Sequence, residues 1–159
     1  MKKILSGSIV LLFIIAANIF AQKMDGVEVT DAGSFQGSIN GNDFNNMIRF
    51  GEAENMVSIA TGDESFTLTI NCKSVSTISE IKTGIYKLPS DKNVTVLYLD
   101  NNAALPCIIT NGTLNITQND EYLLKGTLEF TAAMGGIPKE IGGTEIKLTG
   151  GSFNISKLK

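Results

Sequence analysis

The sequence contains no histidine and no tryptophan, and each absence narrows the possible functions. Without histidine, the common Ser-His-Asp and Cys-His nucleophile systems are excluded, and so is a zinc site of ordinary ligand composition. Without tryptophan, the aromatic platform of many sugar-binding sites must come from Tyr86, Tyr98, Tyr122 or a phenylalanine, and the strand patterning buries most of these. The composition therefore argues against common hydrolases and weakens a carbohydrate-binding module.

Positive charge is also scarce, since Arg49 is the one arginine and the formal net charge is -3. Removing Lys2 and Lys3 with an N-terminal segment would take the net charge to -5. A mildly acidic chain with scattered lysines has no electrostatic footprint for nucleic acid. It should also be indifferent to anionic lipid surfaces. We therefore expect no nucleic-acid partner.

Long apolar runs are absent except near the N-terminus. Two lysines precede an apolar run from Ile9 to Ala17, and Asn18 to Ala21 follows it ahead of Gln22. This charged, apolar and small-residue order is typical of a secretory signal. A retained anchor is the alternative, but the run is shorter than the roughly 20 residues of a spanning helix. We predict a signal peptide over residues 1–21, a single exported domain over residues 22–159 with no membrane span, and a periplasmic or extracellular location.

The two cysteines, Cys72 and Cys107, allow two interpretations. An even number of cysteines in an oxidising compartment is compatible with one disulfide. Both residues also lie in apolar, strand-like sequence, where a free cysteine is often a small buried side chain. The sequence leaves both interpretations open.

Alternation of apolar and polar residues dominates the rest of the chain, most clearly from Glu121 to Ala132. Such alternation is typical of half-buried antiparallel strands. Val94 to Leu99 is apolar on both faces, which indicates a central strand. Further strands are predicted at Ser34–Asn40, Phe44–Phe50, Met56–Thr61, Phe66–Cys72, Gly84–Leu88, Pro106–Thr110, Thr113–Thr117, Glu145–Thr149 and Ser152–Ser156.

Turn signals separate these strands at intervals of about ten residues, a spacing typical of sandwiches and barrels. The segment from Lys73 to Thr83 is predicted to be a loop with one helical turn, since Val75, Ile78 and Ile81 fit a short helix. The chain is therefore predicted to be all-β, a single antiparallel β-sandwich or squat β-barrel of about nine strands. The turn signals are Asn40–Asp43, Thr61–Glu64, Pro89–Asp91, Asp100–Asn102, Asn111-Gly112, Asn119-Asp120 and Gly150-Gly151.

The strings NGTLNIT, QNDE, LLKGTLEFTA and TEIKLTGGSFNI in the C-terminal half resemble a family of small exported β proteins of unknown function from Gram-negative bacteria. Members often have an INGNDF-like segment after the leader and a GIYKL-like strand in mid-chain, which are Ile39–Phe44 and Gly84–Leu88 here. The resemblance implies the fold and export, with no catalytic residues. Many relatives are lipoproteins, and the absence of a Cys after the leader implies a soluble exported form.

Without histidine, acid–base chemistry would fall to carboxylates, and a glycosidase would need two of them roughly 5 to 9.5 Å apart. The turns Asn40–Asp43 and Asp100–Asn102 could also offer oxygen ligands to calcium, although asparagine and aspartate are the ordinary residues of tight turns. We expect no catalytic residue, metal or cofactor. The candidate carboxylates are Asp63, Glu64, Asp100, Asp120, Glu121, Glu129 and Glu140, each expected to be solvated.

Three functions remain open. A non-enzymatic binding or surface-interaction module is preferred, because polar faces and turns are present without an assembled reactive set. A barrel carrier of a small apolar ligand is possible if the inward residues line a void. A carboxylate-dependent enzyme acting on glycans would need two acids in one cleft with raised pKa values. The partner could accordingly be a glycan, a small apolar ligand or another envelope protein. The inward set is Phe66, Val96, Tyr98, Leu124 and Phe130, and the uncharged outward rows are Thr67/Thr69/Asn71, Thr113/Asn115/Thr117 and Ser152/Asn154/Ser156.

Overall fold

A computed structural model describes residues 29–103 and 105–157, which form nine strands and two short 3₁₀ turns. The predicted signal peptide, residues 1–21, lies outside the described residues. The turns span Ile78–Glu80 and Lys139–Ile141. The strands are β1 (Val29–Ile39), β2 (Asn42–Ala53), β3 (Met56–Gly62), β4 (Phe66–Lys73), β5 (Gly84–Leu88), β6 (Val94–Asp100), β7 (Cys107–Asn119), β8 (Leu123–Met134) and β9 (Glu145–Ser156).

Eight of the strands close into an antiparallel barrel. They follow the order β7-β6-β4-β3-β2-β1-β9-β8, and β8 pairs back onto β7 along most of its length. The ninth strand, β5, lies outside this ring and pairs with residues 112–116 of β7. The all-β prediction is confirmed, and of the two predicted architectures the chain adopts the barrel. In residues 29–103 and 105–157, no helix is long and apolar enough to cross a membrane.

Two predicted turns are wrong. Asn111-Gly112 lies inside β7 and Gly150-Gly151 lies inside β9, so each predicted pair of short strands is one long strand. Both places coincide with irregularities in the ladder: the β7–β8 register shifts after Ile109, and the β8–β9 register shifts after Leu128, opposite the two glycines. Glycine is as typical of a β-bulge as of a turn, and the local sequence does not distinguish the two.

The inward side chains fill the barrel. The predicted inward set is entirely buried, and all five belong to one continuous apolar core. Six aromatic rings follow one another around the inside, with neighbouring ring centroids 5.0–6.0 Å apart. Residues around a void large enough for water would have accessible surface facing it, and these inward residues have almost none. The side chains therefore fill the core, as expected for a barrel of eight strands. In order, the rings belong to Phe153, Phe35, Phe44, Phe66, Tyr98 and Phe130.

The two ends of the barrel differ. One end is covered by the segment from Ser74 to Thr83, whose Ile78 and Ile81 are buried in the core. The side chain of Asn119 donates hydrogen bonds to the carbonyl oxygens of both isoleucines, at 3.1 and 2.5 Å. The predicted helical turn is confirmed here as the 3₁₀ turn. This end is therefore closed, and we call it the plugged end.

Candidate functional site

The other end of the barrel contains a cavity of about 260 Å³, which we call the mouth. Its apolar floor consists of Ile39, Phe44, Phe66, Tyr98 and Ile146. Its rim carries three carboxylates, four amide or hydroxyl side chains, and among the described lining residues no lysine or arginine. The mouth therefore combines an aromatic floor with an acidic, polar rim. The rim residues are Asn40, Asn42, Asp43, Asp63, Ser65, Asp100 and Asn102.

Three separate turns build this rim, and hydrogen bonds hold them together. Asn40 and Gly41 have positive φ of 52° and 85°, as in the two-residue hairpin turn that joins twisted strands. The Asn40 side chain accepts a hydrogen bond from the backbone N–H of Lys147 on β9. The backbone N–H of Asn101 donates to the carbonyl of Ser65 at 2.9 Å, and its side chain donates to the carbonyl of Asp63 at 3.1 Å. The rim is therefore preformed.

Asp63 organises the β3–β4 loop. One carboxylate oxygen accepts hydrogen bonds from the backbone N–H and the hydroxyl of Ser65, at 2.7 and 2.5 Å. The other accepts from the side-chain amide of Asn46 at 3.1 Å. Burial alone would raise the pKa of Asp63, but the hydrogen bonds from Ser65, Asn46 and Phe66 outweigh it, and the pKa lies below its ordinary value. Asp63 is therefore ionised across the neutral range and caps its own loop.

Tyr98 lies at the floor of the mouth and is only 4% exposed. Its hydroxyl makes no hydrogen bond to any residue within 29–103 and 105–157. Burial raises the pKa of Tyr98 to about 12, and the charges of Asp100, Cys107 and Asp63 add to the effect. Asp63 and Asp100 line the same cavity as Tyr98. Among the described residues, the fully buried side-chain atoms that lack a hydrogen-bond partner are Thr69 Oγ1 and Asn119 Oδ1. The Tyr98 oxygen is not one of these, and Tyr98 lines the cavity, so a ligand in the mouth can reach it.

A second cavity, of about 210 Å³, lies at the plugged end and differs in chemistry. It is lined by lysines as well as a glutamate, including Lys73, Lys82 and Glu80. Its tyrosine, Tyr86, is already satisfied, because its hydroxyl donates to the carbonyl oxygen of Lys82 at 2.6 Å. The mouth is therefore the stronger candidate for a ligand site.

The predicted carboxylates are scattered over the barrel. Asp63 and Asp100 meet at the mouth, whereas Glu129 lies on the outer face of β8 and Glu140 in the 3₁₀ turn between β8 and β9. Asp120 and Glu121 lie in the β7–β8 turn near the plugged end. A general acid needs a raised pKa, while the pKa of Asp63 is lowered. The described residues contain no group of three or more His, Cys, Asp and Glu placed to share a metal ion.

The Cys72–Cys107 disulfide does not form, and both thiols are free and buried. Cys72 is paired with Val94 and Cys107 with Tyr98, which places the two cysteines four residues apart along β6 and on opposite sides of it. Four residues of strand span about 13 Å. The Cα atoms of a disulfide lie within roughly 7 Å. The buried-thiol interpretation is therefore the correct one here.

The outward rows and the tyrosines only partly follow the alternation. Thr69 and Asn71 lie on the outward face of β4, yet both are buried. The register places Thr69 and its partner Ala60 between the larger Arg49 and Leu97, which flank them. Tyr122, grouped with the inward residues by alternation, is 56% exposed, because β8 begins at Leu123. Of the three tyrosines, Tyr98 is the one that lines the mouth.

The connection between β8 and β9 forms part of an apolar patch at the same end as the mouth. The side chains of Leu105 and Ile108 lie against Gly135 and Gly136. Ile137 and Ile141 follow in the same connection, and all four large side chains are exposed. We call Leu105, Ile108, Ile137 and Ile141 the apolar patch. Exposed apolar patches of this kind are typical of interaction surfaces.

Comparison of the chain with protein-family models, curated proteins and solved structures finds no match. The resemblance to small exported β proteins therefore remains a prediction.

Proposed function

We propose that this chain is an exported, non-enzymatic binding protein whose ligand enters the mouth of the barrel. One observation carries the proposal: an open cavity whose floor holds Tyr98, a side chain with no hydrogen bond to the described residues, beneath a rim of preformed polar groups. A few convergent polar groups above an apolar floor are what a small-molecule site requires. Export is the sequence-based part of the proposal and is supported by the N-terminal pattern.

The two alternatives have less support. A carrier of an apolar ligand requires room inside the barrel, while the inward residues from Phe66 to Phe130 pack against one another. A glycan-active enzyme requires a carboxylic acid with a raised pKa, and the pKa of Asp63 is shifted the other way. A binding role requires neither feature.

The apolar patch favours a second candidate, a surface-interaction module that docks on another envelope protein. The patch borders the same end of the barrel as the mouth, so a partner could cover both. A partner that needs the patch would lose binding when Ile137 and Ile141 are replaced by serine. A small ligand held in the mouth alone would not.

The proposal is tested with a thermal-shift screen of sugars, amines, carboxylates and fatty acids, because a ligand that binds only the folded state raises the melting temperature. The screen is repeated on Asn42→Trp, which places a large side chain at the mouth. Asn154→Trp, on the exposed outer face of β9, is the matched control.

We expect at least one ligand class to raise the melting temperature of the unmodified protein and of Asn154→Trp, and to leave Asn42→Trp unchanged. A ligand that stabilises all three proteins equally binds elsewhere, and that result would refute the mouth as the binding site.

A further inference from the structure

The charge at the mouth is of one sign. Its described lining residues include Asp43, Asp63 and Asp100 but no lysine or arginine. The two lysines of the neighbouring β8–β9 region lie near Glu145 instead, with Lys147 Nζ 3.0 Å and Lys139 Nζ 3.9 Å from its carboxylate. Low-dielectric walls focus such a field and raise the local concentration of cations. An anion entering the mouth would meet no compensating charge from these residues.

The charged groups at the mouth and the Tyr98 oxygen can all accept a hydrogen bond from a ligand. Ionised carboxylates only accept hydrogen bonds, and a tyrosine oxygen can accept as well as donate. Tyr98 is 4% exposed as a whole residue and lines the cavity, and its oxygen makes no hydrogen bond to the described residues, so the oxygen is open to a ligand. This observation is independent of the acidic rim. A ligand with N–H groups would satisfy both the rim and the floor.

The floor suits the same ligand. Phe44, Phe66 and Tyr98 contribute aromatic rings, and the Phe44 and Phe66 centroids are 5.0 Å apart in an edge-to-face arrangement. Aromatic rings attract cations and also pack against methylene groups. The volume of about 260 Å³ lies below the range of drug-sized pockets, so only a small group fits.

We propose that the mouth binds an alkylammonium group, with the nitrogen among the rim carboxylates and the Tyr98 oxygen and the carbon chain against the phenylalanines. This inference rests on the proposed function, since it names the ligand chemistry of the same site. The group can come from a small free amine or from a lysine side chain of a partner protein.

The test is an NMR titration of the protein with probes of similar size and different charge. Butylammonium is the cationic probe, pentanol the neutral one, pentanoate the anionic one, and glucose the neutral polyol. Nα-acetyl-lysine-methylamide represents a lysine side chain. We expect both amines to bind at least about tenfold more tightly than pentanol, and pentanoate not to bind. Tighter binding of the lysine probe than of butylammonium assigns the group to a partner protein, and the reverse assigns it to a free amine.

Two variants separate the interactions. Asp100→Asn is isosteric, removes one charge and should raise the dissociation constant of butylammonium about tenfold while leaving that of pentanol unchanged. Tyr98→Phe removes only the oxygen and should raise the dissociation constant of butylammonium at least about tenfold, the equivalent of one hydrogen bond from a charged donor. Glu129→Gln, on the outer face of β8, is the control and should change neither constant.

The outcomes distinguish the two claims. If pentanol, pentanoate or glucose binds as tightly as the amines and Asn42→Trp abolishes that binding, the ammonium inference is wrong and the binding function survives. If the amines bind equally to Asn42→Trp, or no probe binds at all, the inference fails, and binding to Asn42→Trp would also contradict the proposed site.

Discussion

Tyr98 is the most informative single residue at the mouth, because its side chain is largely buried while its hydroxyl makes no hydrogen bond to the described residues. The same group is useful to a ligand that can hydrogen-bond to it.

Replacing Tyr98 with phenylalanine should change the free energy of unfolding by less than about 1 kcal/mol, since the removed oxygen has no described partner. Tyr86→Phe is the control, because its hydroxyl donates to Lys82, and it should lower the free energy by up to about 1 kcal/mol. Urea denaturation measures both. A loss of more than about 2 kcal/mol in Tyr98→Phe would mean that its hydroxyl is bonded within the fold.

The two thiols should be unreactive in the folded protein. Burial raises the pKa of Cys72 to about 12, with a contribution from Asp91, and burial also raises the pKa of Cys107. The reactive thiolate is therefore scarce at pH 8. A colorimetric thiol assay should detect no thiol in the native protein and two after denaturation without reductant. Detection of none after denaturation would mean that a disulfide had formed.

Asp63 should make folding sensitive to acid. Its pKa in the folded state lies below the ordinary value of 3.8, so its contribution is present above that value and is lost as the pH falls through the folded pKa. Because the residue is exposed, Asp63→Asn should cost only about 1 kcal/mol at pH 7. Urea denaturation from pH 7 to pH 2 should show this difference shrinking below pH 3.8. A difference independent of pH would contradict the charge-based explanation.

At the scale of the elements, the bulge in β9 contains two neighbouring glycines, Gly150 and Gly151. One is required by its backbone conformation and the other by its close contact with β8. A Cβ on Gly151 would overlap the carbonyl oxygen of Leu128 on β8, and backbone cannot move aside easily. Gly150 has φ +60° and no atom within 4 Å of a built Cβ. Asparagine tolerates that left-handed conformation better than most residues.

Gly151→Ala should consequently lower the free energy of unfolding by at least about 2 kcal/mol, through overpacking against the backbone of β8. Gly150→Asn should cost less than about 1 kcal/mol. Thermal and urea denaturation of the two variants provide the comparison. Equal stability of the two would show that the ladder between β8 and β9 relaxes at this point.

Most strands could be predicted because alternation encodes burial directly. Gly84–Leu88 was predicted with the bounds of β5, and the short helix at Ile78 was located from three apolar residues. The glycine pairs at Asn111-Gly112 and Gly150-Gly151 were misread because a bulge and a turn use the same residue. Whether such a glycine pair forms a bulge or a turn depends on how the strand pairs with its neighbour. The neighbouring strand is distant in the sequence, so the local residues do not contain this information.

At the scale of the whole molecule, the mouth could not be predicted although its parts could. The turns at Asn40–Asp43, Asp63 and Asp100–Asn102 were each recognised, and two were considered as calcium ligands. Their meeting at one end depends on the strand order, which brings β2, β4 and β6 to the same rim. No local pattern could show that Tyr98 would lie beneath them.

The most direct test of this account is amide chemical-shift mapping of the isotopically labelled protein during a butylammonium titration. The account predicts shifts that saturate and cluster around Asn42, Ser65 and Asn102 at the mouth, with none at Lys82 and Tyr86 at the plugged end. Shifts confined to the plugged end, or spread evenly over the outer faces, would contradict a binding function at the mouth.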